Sequence, residues 1–80
     1  MFLDLTVVYD TLTKVGIVYA TLGSETTTYM HKEVKAKTPY EIMEAVRKLR
    51  EELLTKGLKK KAKLETQIGT AKVRVLNREP

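Results

Sequence analysis

The chain has 80 residues, enough for one small domain, and its 42% apolar and 31% charged residues are typical of a soluble globular protein. It contains no cysteine, which excludes disulfides, thiolate metal sites and cysteine nucleophiles. No apolar run approaches the roughly 20 residues that span a bilayer, and residues 1–10 lack the basic segment of a secretory signal. We therefore expect one domain over residues 1–80, cytoplasmic and without membrane association.

Positive charge is concentrated in the last third of the chain. The net charge is +5. Residues 1–55 carry seven Lys or Arg against eight Asp or Glu, a net −1, whereas residues 56–80 carry eight against two, a net +6. Such asymmetry is typical of chains that bind a polyanion.

Three strands are predicted in the first half of the chain. Residues 2–9 alternate between apolar and polar positions, as a half-buried strand does. Residues 15–22 carry apolar groups on both faces, which suits a central strand, and residues 26–36 predict a long third strand. The short turn at 23–25 favours an antiparallel hairpin between the second and third strands.

A long amphipathic helix is predicted over about residues 39–56. Thr38, Pro39 and Glu41 form the pattern of a capping box with proline at the first helical position. The apolar stripe that follows recurs at helical spacing through Ile42, Val46, Leu49 and Leu53. Gly57 fits the left-handed position that commonly follows a helix.

The C-terminal part predicts further strand structure with two possible arrangements. Residues 59–68 alternate again, and residues 71–76 place Lys72 and Arg74 outward. Gly69 could begin a two-residue hairpin turn, or it could mark a bulge in one long strand. The inward positions of the last strand are predicted at Ala71, Val73 and Val75.

Together these elements predict an α+β domain in β-β-β-α-β-(β) order. The sheet is expected to be mainly antiparallel, with one long helix packed on one face. A core of this size is marginal on its own, and the strand over residues 15–22 is apolar on both faces. We therefore expect a homo-oligomer, most simply a two-fold dimer.

Few residues carry the patterns of catalytic or metal chemistry. His31 is the only histidine, Ser24 has no second general base near it in sequence, and the four glycines stand alone rather than in a phosphate-binding loop. We therefore expect a non-enzymatic protein with no catalytic residue, no metal and no cofactor.

One carboxylate pattern supports a different interpretation. Three strands followed by a helix resemble, in topology over residues 2–56, the opening half of the ribonuclease H fold. That resemblance implies a metal-dependent nuclease whose acids would be Asp4 or Asp10 with Glu41 or Glu44. The competing interpretation makes the two glutamates a helix cap and an ion-pair partner.

Two families of binding proteins share the same arrangement. Residues 16–20 (GIVYA) and 38–41 (TPYE) resemble HicB-like antitoxins, and residues 15–56 are similar in pattern to the arm-binding domains of tyrosine recombinases. The first resemblance implies binding of a partner protein, and the second implies DNA binding by the sheet.

The basic C-terminal segment is the strongest candidate site. Its cations are Lys59, Lys60, Lys61, Lys63, Lys72, Arg74 and Arg78. If the hairpin forms, they make a two-strand cationic strip suited to the phosphate backbone of DNA or RNA. Lysine dominance favours backbone contact over base recognition. In the alternative, the lysines are solvated and protect an edge strand, and the exposed edge binds a partner protein.

Overall fold

The first three strands form an antiparallel meander in the computed structural model, which describes residues 1–58 and 65–78. β1 (Phe2–Asp10) pairs with β2 (Val15–Gly23), and β2 pairs with β3 (Thr28–Ala36). The predicted hairpin between the second and third strands is confirmed. β3 begins two residues later than expected because the Ser24 N–H donates to the Thr27 carbonyl at 2.8 Å, which lengthens the turn.

The predicted helix is confirmed as α1 (Pro39–Gly57). Thr38 caps its start, accepting a hydrogen bond from the Glu41 N–H at 3.1 Å. The Glu41 carboxylate accepts from the Lys37 N–H at 2.8 Å, so the return bond of the capping box goes to the residue before the cap.

Gly57 does not have the conformation that the sequence predicted. It is the last residue of α1, and no glycine in the part of the chain that the structure describes has a positive φ. A Cβ at this position would lie 2.6 Å from Met30 Sδ and 2.8 Å from Leu22 Cδ2. Glycine is therefore explained by the close approach of the helix end to the sheet, since a side chain would meet the core.

The core lies between α1 and one face of the sheet. α1 packs chiefly across β2 and β3, and Ala45, Leu49 and Leu53 are its buried residues. The sheet residues buried beneath it are Leu3, Leu5, Val7, Val18, Ala20, Leu22 and Ala36. Alternation along β1 and β2 therefore decides which residues enter the core. For β2, whose two faces both carry apolar residues, the structure places Val18, Ala20 and Leu22 inward. Within the described ranges, no helix is both long and apolar enough to cross a membrane.

The C-terminal strands differ from the predicted hairpin. β4 (Gln67–Ile68) and β5 (Lys72–Leu76) both run parallel to β1 and pair with it in succession along one edge. Phe2 pairs with Gln67 but Thr6 pairs with Lys72, so the segment between the two strands contains one extra residue. The hairpin is therefore wrong. The alternative of one long strand with a bulge at Gly69 is closer to the structure, because β4 and β5 follow the same edge of β1, but residues 69–71 interrupt the strand.

The resulting sheet has the order β3-β2-β1, with β4 and β5 sharing the far edge of β1. The parallel pairing follows from the connection, because α1 carries the chain back across the sheet before the last strands begin. Of the strand predicted over 59–68, only Gln67 and Ile68 are strand among the described residues, and residues 59–64 lie outside them. Among residues 1–58 and 65–78, α1 packs on one face of the sheet and no helix packs on the other. We call this second face the helix-free face, and it carries the candidate site.

Candidate nucleic-acid interface

Three of the seven predicted site residues lie in the described part of the chain. Lys72 and Arg74 are on β5, and Arg78 follows its end. The other four predicted residues, Lys59, Lys60, Lys61 and Lys63, lie outside the described residues. The predicted two-strand strip required these four lysines to lie on a strand paired with β5. That hairpin does not form, so the predicted strip is wrong.

Lys72 and Arg74 lie together on the helix-free face. Lys72 is registered with Thr6 and Arg74 with Val8, and paired residues in neighbouring strands project to the same side of a sheet. Both cations are exposed, and neither has an ion-pair partner within the described residues. Their outward direction is the one that the sequence predicted.

Arg78 is engaged by the protein itself. Its Nη1 donates to Asp10 Oδ2 at 2.9 Å, and its backbone N–H donates to Thr11 Oγ1 at 2.7 Å. Burial alone would raise the pKa of the Asp10 carboxyl. Hydrogen bonds from the Leu12 and Thr13 N–H groups, together with the Arg78 guanidinium, outweigh that effect and hold this pKa below its usual value. Arg78 therefore differs from Lys72 and Arg74, because its charge is already compensated.

Cations on the helix-free face are separated by an apolar centre. Arg74 on β5, Val8 on β1, Ile17 on β2 and Lys35 on β3 form one row across the strands. The two apolar members are half-buried and the two cations are exposed. With strands spaced about 4.8 Å apart, the backbones of the two charged residues are about 14 Å apart. Arg74 and Lys35 therefore lie at opposite edges of this face, and Glu33 lies beside Lys35 at the β3 edge.

His31 is held by its neighbours on the same face. Its Nδ1 lies 2.8 Å from Thr21 Oγ1, and its Nε2 lies 3.1 Å from Glu33 Oε1. Its ring also lies 6.3 Å from the Tyr19 ring, centre to centre. These contacts agree with the interpretation of His31 as an ordinary strand residue on a half-exposed face.

Val73 and Val75 differ from their prediction as inward residues. They project toward the helix side, in register with Val7 and Tyr9, but 65% and 52% of each residue remains exposed. The reason is that α1 packs mainly over β2 and β3 and leaves the β5 edge uncovered. An apolar groove therefore runs between α1 and β5; its lining residues are Val7, Tyr9, Pro39, Ile42, Met43, Val73 and Val75.

The carboxylates of the nuclease interpretation are not brought together. Asp4 and Asp10 lie on strand positions of the helix-free face, whereas Glu41 and Glu44 lie on α1, across the sheet. Glu44 accepts from Arg47 at 2.8 Å, and Glu41 caps the helix. Among the residues described, no group of three or more acidic, histidine or cysteine side chains could hold a metal ion. A two-metal site needs such convergence, so these four acids do not form one.

Comparison with known proteins gives no match: the chain fits no protein-family model, and neither the curated proteins nor the solved structures compared are similar to it.

Two features of this region were not found from the sequence. The Asp10–Arg78 ion pair joins groups 68 residues apart, and no local pattern connects them. The groove beside β5 was missed because alternation indicates which way a side chain points, but not whether another element covers it. A one-residue bulge and the path of α1 together decide both features.

Proposed function

We propose that the protein binds nucleic acid electrostatically, through the β5 edge of its helix-free face and the lysine-rich segment at 59–63. The observation that carries the proposal is the exposed pair Lys72 and Arg74, which has no ion-pair partner among the described residues and lies in a chain segment of net charge +6. Binding contacts the phosphate backbone of DNA or RNA and shows little sequence preference. A cytoplasmic location and the absence of enzymatic activity are parts of this proposal.

The arrangement of side chains supports phosphate contact rather than base recognition. Lys72 and Arg74 are two residues apart on one strand, so their backbones are about 7 Å apart, close to the spacing of phosphates along one nucleic-acid strand. Tyr19 is half-buried in the middle of the face, and no aromatic residue follows Tyr40 in the sequence. The β5 edge therefore offers charge without a platform for base stacking.

The test neutralises the two β5 cations and measures the salt dependence of binding. Each phosphate contact contributes about 0.9 to the slope of log affinity against log salt on B-DNA. Lys72→Gln combined with Arg74→Gln should make that slope shallower by about 1.8, equally for unrelated duplex sequences. Fluorescence anisotropy over a salt series measures it directly.

A matched variant removes the same charge from another surface. Lys37→Gln combined with Lys48→Gln neutralises two exposed lysines at the start of α1 and on its outer side. This pair should leave the salt slope unchanged, because it makes no phosphate contact in the proposed arrangement. An equal effect of the two double variants would show that binding follows net charge alone and would reject the β5 edge as the interface.

The second candidate function is protein interaction through an exposed edge. It is favoured by the uncovered apolar groove beside β5, which a nucleic-acid site does not need. This alternative predicts little affinity for DNA at physiological salt and specific binding of a protein at that edge.

A further inference from the structure

β5 is an exposed edge strand of the sheet. All five of its residues are exposed, and Val73, Val75 and Leu76 are apolar. Met43 of α1, 72% exposed, lies across the groove from Val73 and Val75, whereas Leu76 projects to the helix-free face. An edge strand with exposed apolar residues is a template for pairing with another strand.

Within the described part of the chain, β5 pairs only with β1, and the backbone groups on its other edge have no strand partner. The Thr11 N–H donates to the Leu76 carbonyl at 3.1 Å, so the backbone groups of Leu76 point toward β1. Backbone groups alternate in direction along a strand, and those of Arg74 therefore point toward β1 as well. Val73 and Val75 direct their N–H and C=O groups outward, where a further strand would bind.

We propose that β5 pairs antiparallel with β5 of a second copy of this chain, about a two-fold axis at Val75. The pairing joins two sheets into one and closes the apolar groove with matching residues of the second copy. It concerns the edge of the second candidate function and does not depend on nucleic-acid binding.

Charge selects Val75 as the centre of the pairing. A two-fold axis normal to the sheet places the helix side of both copies on the same side of the joined sheet. Such an axis must lie beside one residue of β5, and that residue is then paired with its own counterpart in the second copy. A centre at Arg74 sets two arginines opposite each other, and a centre at Val73 sets Lys72 opposite Arg74. Like charges directly opposite are unfavourable.

With Val75 at the centre, no two uncompensated cations lie opposite each other. Arg74 lies opposite Leu76, whose 41% exposed side chain the aliphatic part of the arginine can cover. Lys72 lies opposite Arg78, whose guanidinium is already bound to Asp10.

A second copy is the partner that this edge fits best. Among the residues that the structure describes, ten apolar residues are buried and three of these are alanine, so a core of this size gains from further apolar contact. Under the two-fold axis, Val75 meets Val75, while Val73 and Met43 of both copies line the helix side of the seam. The helix-free face then carries Lys72 and Arg74 twice on one continuous sheet, which doubles the cations available to a polyanion.

Cysteine cross-linking tests the proposal, and the chain suits it because it has no native cysteine. In Val75→Cys the two thiols face each other across a hydrogen-bonded pair, with Cα atoms about 5.5 Å apart, within disulfide range. In the matched variant Val73→Cys, the two Cα atoms are displaced by four residues, or about 14 Å, too far for a disulfide.

The expected result is a covalent dimer from Val75→Cys under mild oxidation, roughly tenfold more than from Val73→Cys. Unmodified protein should sediment as a dimer at micromolar concentration. A monomer in sedimentation, or equal cross-linking of the two variants, overturns the proposal. Neither measurement contains nucleic acid, so a monomeric protein would reject the dimer without affecting the proposal of nucleic-acid binding. Likewise, a protein that does not bind DNA would not contradict the dimer.

Discussion

At the scale of single residues, burial decides which side chains the fold depends on. Leu49 is 3% exposed and lies in the core between α1 and the sheet, whereas Lys48 beside it is exposed. Neighbours in the sequence therefore differ sharply in what they contribute, because successive residues of a helix lie about 100° apart around its axis.

Leu49→Ala should lower the free energy of unfolding by about 2–5 kcal/mol, since it leaves a cavity in the core. Lys48→Ala, at the adjacent exposed position, should change it by less than about 0.5 kcal/mol. Urea denaturation followed by circular dichroism measures both. Similar, small effects would mean that the apolar stripe of α1 does not face the sheet.

Because of Asp10, the free energy of unfolding should depend on pH in the acidic range. The pKa of Asp10 in the folded protein is held below the usual value of 3.8, mainly by the donors that surround the carboxylate and outweigh its partial burial. A lowered pKa stabilises the fold at pH values above the unfolded pKa, and this contribution is lost as the pH falls through the folded pKa. The wild type should therefore exceed Asp10→Asn in unfolding midpoint at pH 5–7.

The difference in unfolding midpoint between the wild type and Asp10→Asn should become smaller below about pH 4, because Asp10 becomes protonated in the wild type. Unfolding curves from pH 7 to pH 2 give the comparison. A difference that stays constant across this range would show that the Arg78 contact does not act through the charge of Asp10.

At the scale of elements, two glycines in turns have opposite roles. At Gly23, where β2 ends, an added Cβ would lie 2.6 Å from the Thr27 carbonyl oxygen and 3.2 Å from Thr28 Cα. Both are backbone atoms, which cannot move without breaking the hairpin. At Gly69, in the bulge between β4 and β5, an added Cβ meets nothing within 4 Å and φ is not positive.

Gly23→Ala should therefore destabilise the protein by about 1–3 kcal/mol, as overpacked sites do. Gly69→Ala should stabilise it by about 0.4–1 kcal/mol, because alanine restricts the unfolded chain and fits the native backbone. Thermal unfolding of the two variants and the wild type measures the sign of each change in stability. The same sign for both would contradict the backbone geometry at one of these turns.

At the scale of the whole molecule, positive charge is divided between β5 and the lysine-rich segment at 59–63. If four to six of the seven predicted cations meet phosphates, the salt slope should be near −4 to −5 per subunit. Lys72 and Arg74 account for only two of these contacts, so the segment must supply most of the remainder.

Lys61→Glu combined with Lys63→Glu should therefore weaken binding to every duplex sequence alike and make the salt slope shallower by about 2. Far-ultraviolet circular dichroism serves as the control for folding. An unchanged affinity and salt slope would confine the interface to β5. The lysines at 59–63 would then be interpreted as solvated charges that protect the sheet edge from aggregation.

The sequence by itself determined the local structure of this protein. Alternation located β1 and β2, and the Thr38 cap and the stripe through Leu49 located α1, because each signal lies within a few neighbouring residues. It also located the excess of positive charge. Tertiary structure alone decided how distant segments meet: the parallel pairing of β5 with β1, the Asp10–Arg78 ion pair and the uncovered groove. These depend on where α1 crosses the sheet and on a one-residue shift in register. No local pattern gives the path of the helix, and Gly69 indicated the shift only as one of two alternatives.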